Sequence, residues 1–304
     1  LALEEINRGC ASTGVTLSVH NSLLSSPLLH FGTEEQKERF FPGLASGKSL
    51  GAYAITEPDH GSDALSIETT CRKEGDEWIL NGTKAWITNG SRAGTIITFA
   101  TMDPALRSKG INAFVVDPSM PGYSVGKKEL KLGIRGSDTV QLVFDEMRVP
   151  AANLLGEEGQ GFKIAMHTLD GGRVGIATQA VGIAQACLDA AVEFAEGHEM
   201  FGRRLADNQL VSHKIADMAT RIEASRLLTL RAAMLKDAGA PHSRQASMAK
   251  LSASEIANDA ARMALEIHGG AGIGRQSPIE RLFRDAKICE IYEGTSQIQR
   301  LVIA

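Results

Sequence analysis

Near the C-terminus the run Ile291-Tyr292-Glu293-Gly294-Thr295-Ser296-Gln297 sets a single carboxylate between an aromatic ring and a glycine, with Ile288 also upstream. A carboxylate flanked this way is poorly solvated. Desolvation disfavours the charged form, raises the pKa and makes Glu293 a stronger base. Gly294 lets a ligand come close to the backbone. Thr295, Ser296 and Gln297 put two hydroxyls and an amide at the start of a predicted helix, where backbone N–H groups point outward unpaired. The same residues also read as an ordinary helix N-terminus with an acid beside its cap. Choosing between the two depends on the elements that carry the segment.

The chain has 304 residues and a formal net charge of −4, with no basic block, which argues against a nucleic-acid surface. Its four cysteines, Cys10, Cys71, Cys187 and Cys289, are scattered without a Cys-x-x-Cys pair. They read as reduced thiols in a reducing compartment, not as a metal site or a disulfide framework. No apolar run reads as a membrane span and no signal peptide is visible. The chain opens on Leu1 inside a helical pattern, so earlier helices are expected to precede it.

Residues 1–51 read as the end of an N-terminal helical domain, with Leu3, Ile6 and Cys10 spaced for one apolar face. Thr33 and Gln36 form a predicted capping box, and that helix is expected to stop near Pro42-Gly43. From 52 to 158 short alternating runs predict a β domain, a barrel or sandwich. Strands are expected at 95–100, 113–117 and 140–144. Asn81-Gly82 between two apolar runs predicts a hairpin turn, and Asn89-Gly90 repeats the signal.

Two segments of this domain could do chemistry. Tyr53-Ala54-Ile55-Thr56-Glu57-Pro58-Asp59-His60-Gly61-Ser62-Asp63 is a strand running into a loop of Pro, Gly and small hydroxyls. Such a loop can bring backbone groups to the edge of a flat ligand, or it can be a plain turn. Trp86 and Thr88, two apart on a predicted strand, share a face. Trp86 could stack on a flat ring while Thr88 donates to it, or Trp86 could be a core residue.

Residues 159–304 read as a helical bundle, with helices expected at about 161–195, 209–238, 244–268 and 280–289. Leu169-Asp170-Gly171-Gly172-Arg173 is expected to break the first of these, since glycine costs about 1 kcal/mol against alanine inside a helix. Gly269 after Glu266-Ile267-His268 reads as a left-handed helix cap.

Taken together and in order, these motifs resemble the flavin-dependent acyl-CoA dehydrogenases, and most of all their short-chain, butyryl-CoA type, from about Gly14 to Ala304. Tyr292 to Arg300 resembles that family's C-terminal signature, Thr56-Glu57-Pro58 with Gly61-Ser62-Asp63 its flavin loop, and Trp86-Ile87-Thr88-Asn89 its flavin strand. The resemblance implies an α+β multidomain fold of N-terminal helices, central β domain and four-helix bundle. It implies FAD held between the last two, a homotetramer, and electrons passed to an electron-transfer flavoprotein. It implies Glu293 as the base that takes the α-proton of an acyl-CoA.

Ile55, Thr56, Ser62, Trp86, Ile87, Thr88, Phe201, Gln209, Ile267, Gly269, Gly270, Thr295, Ser296 and Gln297 are implied as cofactor contacts. Ser62, Asp170, Gly171, Gly172, Arg173 and Gly294 are implied as substrate contacts. Some relatives carry their base in the Asp170 segment, where this chain has Gly172, which leaves Glu293 for the role. Two positions depart from the family pattern. His198 stands where an arginine contacts the FAD pyrophosphate, with Arg203 and Arg204 as replacement charges, and Glu266 stands for a glutamine. Other readings of the same scaffold are an acyl-CoA oxidase, an enoyl-CoA reductase, or a non-catalytic binding or assembly member. The compartment implied is cytoplasmic in a bacterium or the mitochondrial matrix in a eukaryote.

Overall fold

A computed structural model describes residues 1–304. Contacts divide the chain into two units: 16–130 with 137–172, and 1–15 with 131–136 and 173–304. The helices before the sheet are α1 (Ala2–Gly9), α2 (Ala11–Ser18), α3 (Ser26–Phe31) and α4 (Glu34–Ala45), with a wide π turn at Val19–Ser25 between α2 and α3. Thr33 and Gln36 form the expected capping box, each side chain bonded to the other's backbone N–H. Gln36 also donates to the carbonyls of Ala152 and Leu154 at 2.8 Å, which fixes α4 to the first unit's sheet.

Two expectations for this region fail. Helix α4 runs through Pro42 to Ala45 instead of stopping at the proline. In α1 the buried residues are Glu4 and Asn7, while Leu3 and Ile6 are half-exposed. Glu4 is turned inward by Arg226, whose Nε donates to it at 2.8 Å, and a charge pair outweighs the apolar pattern there.

The first unit carries an eight-stranded sheet: β1 (Leu50–Ala54), β2 (Thr70–Glu74), β3 (Glu77–Thr88), β4 (Ala93–Thr101), β5 (Ile111–Val116), β6 (Tyr123–Lys128), β7 (Thr139–Pro150) and β8 (Leu154–Leu155). The order is β6-β7-β3-β2-β4-β5-β8, with β1 added parallel to β4. Trp78, Leu80, Ile96, Phe114, Leu142 and Phe144 are among the residues that fill its core.

The expected hairpin at Asn81-Gly82 does not form, because both residues lie inside the continuous strand β3. The turn that reverses the chain is Gly75-Asp76, joining β2 to β3. Long-range pairing decides the matter: Asn81 accepts from the Glu146 N–H at 2.8 Å and donates to its carboxylate at 2.7 Å, stitching β3 to a bulge on β7. Asn89-Gly90 is a turn after β3, but it leads to β4, which does not pair with β3.

The remaining helices are α5 (Gly161–Gly197), α6 (Gln209–Asp237), α7 (Ser243–His268), α8 (Gly270–Ile273), α9 (Pro278–Ala286) and α10 (Ser296–Ile303). Helix α5 passes through Gly171-Gly172 without the expected break. It is long and apolar enough to cross a membrane, contrary to the sequence reading, but 61% of its most apolar window is buried inside the protein, as in a core helix. Arg226 on α6 donates to Gln185 on α5 at 2.8 Å. In the loop 131–136 the Ile134 N–H donates to the buried Asp285 carboxylate at 2.5 Å, which ties the loop to α9. All four cysteines are free thiols.

Candidate active site

Glu293 lies just before α10, whose N-cap is Thr295; the Thr295 hydroxyl accepts from the Ile298 N–H. The helix-acid reading is therefore half true, since the cap exists but Glu293 is outside it. Its backbone φ is 52°, a conformation that side chains other than glycine adopt at a cost of about 1–2 kcal/mol. Gly294 follows at φ 91°, and a Cβ there would sit 2.6 Å from Gln299 Nε2. The two residues form a strained turn immediately before the helix.

The residue as a whole is half-buried, but its Oε2 is shielded from solvent and accepts no hydrogen bond. Burial pushes the pKa up to about 7, against the lowering pull of Lys250 and Arg173. Tyr292 beside it donates its hydroxyl to Gln179 Oε1. Arg173 is buried, reaches Ser247 Oγ at 3.5 Å, and acts by its charge on Glu293 and Lys250.

A raised carboxyl pKa has a sign for stability. The folded state holds the proton more tightly than the unfolded chain, so Glu293 destabilises the fold progressively as pH rises from its ordinary value through about 7. Replacing it by glutamine removes the penalty. Glu293→Gln should therefore melt above the unaltered protein at pH 8, by the few degrees that up to about 3 kcal/mol gives, and converge with it near pH 4.5. Parallel Tm curves across that range would show the carboxyl is solvated.

On the sheet, Trp86 is 55% exposed while Trp78 is 2% exposed, so Trp78 is the core tryptophan and Trp86 is not. A bulge causes this. Lys84 pairs with Leu142 and Ile87 with Val140, which leaves one extra residue on β3. Trp86, at φ 60°, is turned outward there, as bulges turn residues. Ile87 between it and the half-buried Thr88 is buried.

Ile55 and Thr56 are half-buried after β1, and Ser62 is exposed in the loop. The Thr56 carbonyl accepts from the Ala85 N–H at 2.8 Å, tying the loop to β3. Sequence reasoning missed the group beneath: Lys84, 0% exposed, donates to Glu57 at 2.7 Å and to the Ile55 carbonyl at 3.4 Å. Glu57 also accepts from the Glu68 and Thr69 N–H groups, at 2.6 and 3.0 Å. Burial pushes the Glu57 pKa up, but Lys84 and these donors outweigh it and the carboxyl stays ionised. Burial lowers Lys84 to about 8 against the pull of Glu57. Nothing in the sequence marked Lys84, which follows the polar run Asn81-Gly82-Thr83 within β3.

Other candidates lie at surfaces. Phe201 and Gly202, at φ 53° and 75°, form the tip of a two-residue hairpin between β9 (Glu199–Met200) and β10 (Arg203–Arg204), with Phe201 94% exposed. Arg204 pairs with Asp207 at 3.0 Å, whereas Arg203 has no ion-pair partner. His198 is exposed and stacks on Phe194, which stacks in turn on His268. Gln209 is exposed at the first turn of α6, and the residue that caps that helix is Asn208.

Glu266 is held by Lys214 and Arg262, both at 2.6 Å. Ile267 is buried. Gly269 has the expected positive φ, 55°, but its ψ of −133° falls outside the left-handed helical region; Gly270 is exposed. Asp170 is half-buried, Gly171 and Gly172 are buried within α5, Ser296 is buried and Gln297 exposed.

Residues 1–48, 52–147 and 159–304 match the acyl-CoA dehydrogenase N-terminal, middle and C-terminal domains. The chain is 55% identical to the human protein "Short-chain specific acyl-CoA dehydrogenase, mitochondrial", over 100% of this chain and 74% of that protein. Butyryl-CoA dehydrogenase from Megasphaera elsdenii superposes with a TM-score of 0.98 at 46% identity, over 99% of this chain and 79% of that one. A chain from a structure titled for the electron transferring flavoprotein of Acidaminococcus fermentans superposes equally well, TM-score 0.98 at 47% identity, over 99% and 80%. Three domains matched in order, and over half of the residues shared along the full length, place the chain in the acyl-CoA dehydrogenase family.

Proposed function

We propose that the protein dehydrogenates a short-chain acyl-CoA thioester to its trans-2-enoyl-CoA, with Glu293 as the base. The observation that carries this reading is the Glu293 carboxyl itself: shielded, unpartnered at Oε2, and raised to about 7. An acceptor with a pKa near the working pH combines an ionised population with useful basicity. The Cα–H bond breaks with its proton going to the Glu293 carboxylate, and the Cβ–H bond breaks as a hydride. The flavin, when bound, supplies the two-electron acceptor for that hydride. The electrons then leave to an electron-transfer flavoprotein.

The sheet residues suit a flavin. An indole turned outward by a bulge, with no aromatic neighbour of its own and a hydroxyl two residues on, is a donor set for a flat heterocycle. Ile55, Thr56, Trp86, Ile87 and Thr88 would hold its ring, and we take the flavin to be FAD. Ser62, Asp170 and the Gly294 backbone are assigned to the acyl-CoA, and Arg173, being buried, to the surroundings of Glu293. Leu227, Leu230 and Met234 form an exposed row on α6 at helical spacing, which supports a subunit contact in a homotetramer.

Arg203 is the unpaired cation on the hairpin and is the better replacement for the pyrophosphate contact. Arg203→Ala should weaken FAD binding about 10-fold, the worth of a charge-assisted bond, and Arg204→Ala less, because Asp207 already neutralises it. Unchanged FAD affinity in both variants would remove the assignment. The function as a whole is tested by anaerobic bleaching of the flavin with a panel of acyl-CoAs, run beside Glu293→Gln. Release of the flavin and its identification distinguishes FAD from FMN.

A further inference from the structure

Something must hold the Glu293–Gly294 turn, because both residues have positive φ and one of them is not glycine. Two side chains converge on its carbonyls. Gln299 Nε2 donates to Glu293 O at 3.1 Å and to Gly294 O at 2.9 Å. Lys250 Nζ, from α7, donates to Gly294 O at 2.6 Å. Lys250 is fully buried and forms no salt bridge within 4 Å, an arrangement that desolvation penalises. A neutral donor would satisfy the same carbonyl without that cost, so the retained charge points to an electrostatic task nearby. The negative group at hand is Glu293, whose own Oε2 stays free of hydrogen bonds.

We propose that Lys250 and Gln299 are positioning residues for the base: both pin the backbone carbonyls of the strained turn, so that the carboxyl is aimed without engaging its own oxygens, and the Lys250 ammonium stabilises its ionised form. This rests on Glu293 being the base. Burial lowers Lys250 to about 8, with Cys289, Glu293 and Glu290 pulling it up and Arg173 pushing it down, so it carries its charge at neutral pH. The charged and titratable groups around Glu293 are Lys250 on α7, Arg173 on α5, Cys289 and Glu290 of the preceding 3₁₀ turn, and Tyr292 next to it.

The test titrates Glu293 directly. The infrared band of its protonated carboxyl, identified by its loss in Glu293→Gln, is followed with pH in the flavin-loaded enzyme, and single-turnover flavin reduction is measured over the same range. In Lys250→Met the midpoint should rise by about one pH unit, since Lys250 is the leading charge that lowers it and a nearby opposite charge shifts a carboxyl by about 1–3 units. The reduction limb should move with it. Lys250→Arg should restore the midpoint. Gln299→Leu should keep the midpoint and slow reduction at every pH.

If Lys250→Met does not fold, Lys250→Gln gives the same readout, because it also removes the charge. A midpoint unmoved in the charge-free variant, with the band still titrating near 7 in the unaltered protein, overturns the inference alone. Absence of any such band in the unaltered protein, or bleaching retained in Glu293→Gln, overturns the base assignment instead.

Discussion

Glu293→Gln should lower the rate of flavin reduction by acyl-CoA by about 10²–10⁴-fold, the range for losing a positioned general base. The amide keeps the size and shape of the side chain but cannot take up a proton near neutral pH. It enters a place where Oε2 has no partner to lose, so folding should survive. The flavin contacts assigned to the sheet are untouched, and the yellow colour of the purified protein should persist. The measurement is anaerobic stopped-flow bleaching of the flavin absorbance with a short-chain acyl-CoA. Bleaching within a few-fold of the unaltered rate would exclude Glu293. No other carboxylate in the α10 segment could replace it, since Thr295 to Ala304 contains none.

The second large effect is on stability. Lys84→Met should cost about 3–5 kcal/mol, because it leaves the Glu57 carboxylate buried without its counter-charge. In a chain of this size that corresponds to a fall in Tm on the order of 10 °C. The loop carbonyls of Ile55 and Thr56 are tied to Lys84 and Ala85, so flavin should be lost more readily from this variant too. The double variant Glu57→Gln with Lys84→Met removes both charges and should recover most of the loss. Denaturation and flavin retention are measured on all three proteins. A single variant as stable as the unaltered chain would mean the pair is solvated and holds nothing.

The sequence alone carried the candidate chemistry. Glu293 with its neighbours, the Thr56-Glu57-Pro58 loop and Trp86-Ile87-Thr88 are contiguous stretches, and a contiguous stretch carries its order and residue types openly. Helix α4 with its capping box and the long helices α6 and α7 were legible for the same reason, since caps and 3.6-residue periodicity are local. What the sequence could not decide was set by partners distant along the chain. Asn81-Gly82 has the composition of a turn, but pairing with β7 at Glu146 draws it into a strand. Trp86 was ambiguous until the register with β7 placed a bulge beside it.

Leu3 and Ile6 yielded the buried face of α1 to Glu4 and Asn7, because Arg226 lies more than 200 positions away. Lys84 and Lys250 look like surface lysines in a one-dimensional reading. Only tertiary structure shows each ammonium sealed from water, and the free energy of an ion depends on what surrounds it in space, not on what precedes it in the chain.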